Sequence, residues 1–169
     1  RVMVVPYLSN FEDLRRNLGL YREAFAAANP GLAIPRVQMS FHMHAAETDG
    51  QAIAEATPQM EQYVGLFKAS ASAWRSRRSS AYPGYEELVQ QLQTMTMERV
   101  QRERRGFIGS PQTIVALIQN AVELFGDIEP SLSVLWGNMS YEAAERSLRV
   151  FAGDVMPRFA HAPATRAAR

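Results

Sequence analysis

Cysteine is missing from this chain of 169 residues. That excludes a disulfide scaffold, cysteine-ligated zinc, iron–sulfur clusters and thiol catalysis. A dominant charge is missing too. Eighteen Lys+Arg face 17 Asp+Glu, a formal net charge of +1. A general nucleic-acid binder would carry a basic excess, so no nucleic-acid partner is expected. No apolar run approaches the ~20 residues of a membrane-spanning helix, and no signal-peptide pattern precedes the first apolar segment. The expectation is therefore a cytoplasmic protein with no membrane partner. Histidine is scarce at three, which limits any histidine-based metal site. With 47% hydrophobic and 21% charged residues, the composition is that of a globular protein rather than a disordered one. The length suits one domain with a real core.

The chain opens on Arg1 and enters a buried-strand pattern at once, Val2-Met3-Val4-Val5. A natural chain seldom opens inside a core strand, so a missing N-terminal part is expected. The first strand is read over 2–7. Ser9 or Asn10 caps a helix in which Phe11, Leu14, Leu18, Tyr21 and Phe25 recur at helical spacing, ended by Asn29-Pro30-Gly31. A second strand is read over 36–46. Val37, Met39, Phe41 and Met43 point one way; Gln38, Ser40, His42 and His44 point the other. Thr48-Asp49 caps the next helix, which Pro58 either interrupts or restarts. A helical insertion spans 58–105, including a polar stretch from Arg75 and a helix over 85–105. Gly106 to Gly109 breaks the pattern. Ser110-Pro111 starts a further helix, a third strand is read over 131–136, Ser140 caps the last helix, and 162–169 is a flexible tail.

Strands alternating with helices predict an α/β fold with a parallel sheet. Right-handed crossovers place the helices on one face if the strands lie in chain order. Three strands leave two open edges and a bare face, a poor freestanding domain. They are a good part of a (β/α)8 TIM barrel, namely its last three parallel strands with their helices.

Four phrases, in this order, carry a resemblance: LYREAFAAANPG at 20–31, HMHAAETDGQAIAEA at 42–56, GSPQTIVALI at 109–118 and FAGDVMPRF at 151–159. Together they resemble the bacterial luciferase-like family of flavin-dependent monooxygenases. Gln112 stands where that family usually has Glu. The resemblance implies that 1–169 is the C-terminal portion of a single luciferase-like barrel domain. It also implies an FMN cofactor, or a deazaflavin in some branches, and a small, mostly apolar organic substrate. Much of the flavin contact would come from earlier strands. A homodimer of the full-length protein is one expected state. The rival reading is a non-catalytic barrel fragment or a structural partner subunit without flavin chemistry.

His42 and His44 are the candidate catalytic pair. Both lie on the polar face near the C-terminal end of a strand, where barrel active sites form. An imidazole there could donate to a flavin carbonyl or act as a general acid–base. The plainer reading makes them hydrogen-bonded interior residues. A metal site would need a third ligand, and the only other histidine is His161 in the tail, so no metal is expected. Tyr7 and Ser9 after the first strand, and Trp136 and Asn138 after the third, are candidate substrate-pocket residues, with core packing as the alternative for Trp136. Ser110 is either a helix cap or a phosphate contact. The arginines at 75–78 and 99–105 interleave with glutamates and read as a salt-bridged surface.

Overall fold

The computed structural model describes residues 2–72 and 90–160. The expectations for Arg75, for the polar stretch that follows it, for His161 and for the tail at 162–169 fall outside the described residues.

The centre of the fold is one long strand, β2 (Val37–Ala45), as its alternating sequence requires. Three other strands pair with it, all parallel. β1 (Met3–Val4) pairs Met3 with Gln38 and Val4 with Met39. β4 (Ile128–Ser133) runs from Val37↔Ile128 to His42↔Ser133. β3 (Phe107–Gly109) joins further along, from Met43↔Phe107 to Ala45↔Gly109. Alternate amides of a strand face alternate edges. The Gln38 N–H donates to Val2 O at 3.0 Å and the Ala46 N–H to Gly109 O at 3.3 Å. Both positions are even, so β1 and β3 follow one another along one edge of β2 while β4 takes the other.

The helices have the expected starts. Asn10 caps α1 (Phe11–Ala28), its side chain accepting from the Glu12 and Asp13 amides. α2 (Asp49–Ser72) runs through Pro58 without ending there. Thr96 caps α3 (Met97–Arg102), Ser110 caps α4 (Pro111–Phe125), and Ser140 caps α5 (Tyr141–Val150). The chain after α5 widens into a π-helical turn at Phe151–Val155 and then tightens into a 3-10 turn at Met156–Arg158.

Four corrections follow. The sheet has four strands among the described residues, not three. β3 is only three residues long and is bounded by Gly106 and Gly109, so no period shows in its sequence. The strand expected at 131–136 lies at 128–133, because Gly126 ends α4 and Ile128 is the first buried residue after it. The helix expected over 85–105 is broken at 94–96, where extended Thr96 begins a new cap.

The fourth correction concerns the layers. Val37, Met39, Phe41 and Met43 pack as expected with Leu14 and Leu18 of α1, and with Ile114, Ile118, Ala121 and Phe125 of α4. Phe41 stacks on Phe107 with ring centroids 4.2 Å apart. Each fully buried ring or aliphatic side chain there contributes about 1.5–3 kcal/mol. But α2 does not join this layer. Its Ala52, Ala56, Met60 and Val64 pack with Tyr7, Ile108 and Trp136 in a second cluster. Helices therefore lie on both sides of the sheet. The cause is the chemistry of α2. Small residues at i and i+4 allow close approach, and its polar residues find partners on the histidine-bearing side.

Candidate active site

Polar contacts of Asp49, Glu55 and Gln59 fix α2 to the rest of the fold. Asp49, at its start, accepts the Ser110 N–H at 2.6 Å and the Thr113 hydroxyl at 3.0 Å. The Ser110 amide foremost, and the hydroxyls with it, hold the Asp49 carboxyl below its usual range. Glu55 meets His44. Gln59 accepts the Asn138 N–H at 2.9 Å. The start of α4 is thereby satisfied within the chain, and Ser110 is the cap of the plainer reading, its hydroxyl accepting the Thr113 N–H.

Under α2, the polar face of β2 holds the two histidines in different surroundings. His42 is ringed by aromatics. Its centroid lies 5.0 Å from Tyr7, 4.7 Å from Tyr63 and 5.1 Å from Trp136, each ring edge-on. Burial lowers its pKa from 6.5 to about 4. At neutral pH this imidazole is uncharged, so it can donate and accept hydrogen bonds but does not carry a spare proton. The two tyrosines are affected by the same enclosure. Burial first, then Tyr63, pushes the Tyr7 hydroxyl up. Burial also raises Tyr63. The Tyr7 hydroxyl donates to the Met60 sulfur, and the Trp136 indole N–H donates to Met43 O at 3.4 Å.

His44 has no solvent exposure. Its Nε2 lies 2.8 Å from Glu55 Oε2. The other Glu55 oxygen accepts the Gln51 side-chain amide at 2.9 Å, and Arg146 stands 3.8 Å from Oε2. Gln51 first and His44 second hold the Glu55 carboxyl below its ordinary value. The His44 Nδ1 is buried and has no hydrogen-bond partner.

Of the two, His44 stands nearer the C-terminal end of β2 and is the fully enclosed one, while His42 keeps slight exposure. The structure brings His42, Tyr7 and Trp136 together as one cluster. It does not bring Ser9 or Asn138 into it. The Ser9 hydroxyl donates to Val5 O, and exposed Asn138 meets α2 through its backbone N–H.

Three residues escaped the sequence reading. Tyr63 lies three residues after Met60, on the buried side of α2, so the helical period could have found it. Glu55 sits beside the Ala52 and Ala56 stripe, an acid at the margin of an apolar face. Arg105 was grouped with a solvated surface. That description suits Arg102, which is exposed and pairs with Glu98, but Arg99 is mostly buried and Arg105 is only 6% exposed. Its Nη1 donates to Pro6 O, Tyr7 O and Ser9 O at 3.3, 3.0 and 2.8 Å, and its Nε to Glu103 at 2.6 Å. It ties the end of β1, and with it the Tyr7 backbone, to the start of β3. No signal in the sequence separates it from its neighbours.

No protein-family model and no curated protein matches the sequence. Solved structures do match the fold. The monooxygenase RslO1 from Streptomyces bottropensis is similar with a TM-score of 0.65 and 27% identity, over 94% of this chain and 42% of that one. The oxygenating constituent of 3,6-diketocamphane monooxygenase from Pseudomonas putida is a type II Baeyer-Villiger monooxygenase in complex with FMN. It is similar with a TM-score of 0.63 and 19% identity, over 92% of this chain and 42% of that one. Apo-MsnO8 is similar at 0.54 and 20% identity, over 90% and 44%. The chain thus spans less than half the length of these neighbours. Among the described residues no helix is long and apolar enough to cross a membrane.

Proposed function

We propose that this chain supplies the C-terminal strands of a luciferase-like barrel. The protein it serves is a flavin-dependent monooxygenase acting on a small, mostly apolar organic substrate. The observation that carries the reading is the match of fold over 94% of the chain to a monooxygenase, at 27% identity. The FMN in a second neighbour supports FMN over a deazaflavin. Barrel enzymes work at the C-terminal ends of their strands. His42, Tyr7 and Trp136 stand at those ends of β2, β1 and β4.

The residues present fit a flavin ring in two respects. His42 is an uncharged donor–acceptor within an aromatic enclosure, and the buried Nδ1 of His44 lacks a partner. When bound, reduced flavin would supply the activation of dioxygen. This chain's part is to bind, orient and exclude water. His42 offers a hydrogen bond to the ring or to the substrate. Tyr7, Tyr63 and Trp136 keep that bond out of water, where it is stronger. Since burial keeps His42 neutral, it acts as a fixed dipole, which favours the first of its two expected roles, a donor to a flavin carbonyl, over the general acid–base. The start of α4 is not where the flavin phosphate would bind, because its Ser110 and Thr113 amides already donate to Asp49 and to the Ser110 hydroxyl.

The test is FMN titration of the whole protein that carries this chain, followed by flavin fluorescence, with oxygen uptake measured on photoreduced FMN. Binding in the micromolar range and an oxygen reaction distinct from that of free flavin are expected. His42→Ala should weaken binding or alter the oxygen reaction. Affinity poorer than about 1 mM, a binding free energy of only ~4 kcal/mol, refutes the reading.

A further inference from the structure

We propose that Glu55 is a positioning residue that fixes His44 as the Nε2–H tautomer and leaves Nδ1 as a buried acceptor for a flavin N–H. The inference rests on the flavin reading for the identity of the donor, but not for the tautomer. At 2.8 Å a bare Nε2 lone pair facing the Glu55 carboxylate would be repulsive, so Nε2 carries the proton. Glu55 is itself held in place, by the Gln51 amide at 2.9 Å on one oxygen and by Arg146 at 3.8 Å from the other. Both contacts direct the carboxylate toward Nε2 and not toward Nδ1. Carboxylate–imidazole pairs select a tautomer in this way, and the atom left over is the one that meets a ligand. Here that atom is enclosed and unpartnered in a residue with no solvent exposure. Buried polar atoms are nearly always paired, so Nδ1 marks a place for a donor the described residues do not supply. A flavin carries such a donor, the N–H of its pyrimidine edge, in both oxidation states.

The experiment is 15N NMR of the histidine rings in the whole protein, with and without FMN, on wild type, Glu55→Gln and Glu55→Ala. Wild-type His44 should show a protonated Nε2 and an unprotonated Nδ1. Glu55→Gln, similar in shape and uncharged, should yield a mixture of tautomers while circular dichroism stays unchanged, a change that a purely structural role for Glu55 would not produce. FMN should move the Nδ1 resonance and leave Nε2 in place. N3-methylated flavin should not move it and should bind roughly three- to tenfold more weakly, the loss of one hydrogen bond. A tautomer unchanged in both variants overturns the role of Glu55. FMN that binds without moving Nδ1 overturns the acceptor assignment and leaves a buried water as its partner. If FMN does not bind, the flavin reading and the donor assignment fail together, and the tautomer result still decides the role of Glu55.

Discussion

Gly137→Ala should loosen the contact between the turn after β4 and helix α2. Gly137 has φ +63°, and a Cβ placed on it would lie 2.4 Å from Gln59 O and 2.8 Å from Gln59 Cα. Those are backbone atoms in the middle of a 24-residue helix. They cannot rotate aside as a side-chain tip would. The left-handed backbone alone costs an alanine about 1–2 kcal/mol. Forcing helix and turn apart by about an ångström adds about 1–3 kcal/mol, the usual penalty for overpacking. The total of about 2–5 kcal/mol corresponds to a fall in Tm of roughly 5–15 °C at this chain length. The Asn138 N–H bond to Gln59 should go with it, and the buried neighbour Trp136 should report the change as altered fluorescence. Thermal and urea denaturation measure the loss. Gly65→Ala is the control on the same helix. Nothing lies within 4 Å of its Cβ, so it should stabilise by up to about 1 kcal/mol. If Gly137→Ala changed stability by less than about 0.5 kcal/mol, the size expected of an ordinary surface change, the close approach of turn and helix would be wrong.

His42 makes stability depend on pH in a stated direction. Its pKa falls from 6.5 to about 4 on folding. Between those values the unfolded chain binds the proton and the folded one does not, so the stabilisation is present above pH 6.5 and is lost as pH falls toward 4. The loss is on the order of 3 kcal/mol. Urea denaturation at pH 7 and pH 4 should show a smaller drop in His42→Gln than in wild type by that amount, and equal drops would refute the enclosure. Arg105→Met should cost about 2–4 kcal/mol, since it strips a charged donor from three carbonyls and from Glu103. Exposed Arg102→Met should cost no more than about 0.5 kcal/mol, and a similar loss in both would show that Arg105 is not the tie between β1 and β3.

What was legible in the sequence was local and periodic. Alternation over 37–45 put Met39, Phe41 and Met43 on one face of β2 and His42 and His44 on the other; that α4 rather than α2 joins α1 on the apolar face was not legible. The caps at Asn10, Ser110 and Ser140 were readable because a side-chain oxygen before a helical pattern has one evident use. β3 was not readable. A three-residue strand contains no period, and only its pairing with Met43 to Ala45 makes it a strand. Arg105 was not readable either, because its burial depends on carbonyls about 100 positions earlier in the chain. The cluster around His42 was half readable. Tyr7 and Trp136 follow strands, and strand ends converge in a parallel sheet. Tyr63 needed the placement of α2, which no local pattern supplied.

That placement also decides what the two histidines are. Alternation makes them equivalent: two residues apart, same strand, same face. The helix laid across them removes the equivalence. Toward its start it offers an anchored carboxylate to His44, and two turns later a tyrosine ring to His42. A carboxylate directs the proton on one imidazole; an aromatic enclosure keeps the other uncharged. If the chain had carried α2 on the outer layer, as the crossover rule suggested, both rings would face a common environment. Neither would then be the obvious choice for mutation. With α2 where it lies, the two should separate in NMR of their ring nitrogens. His42 should respond to pH without responding to Glu55→Gln, and the proton of His44 should respond to Glu55→Gln. A single shared response from both rings would mean that α2 does not cover this face.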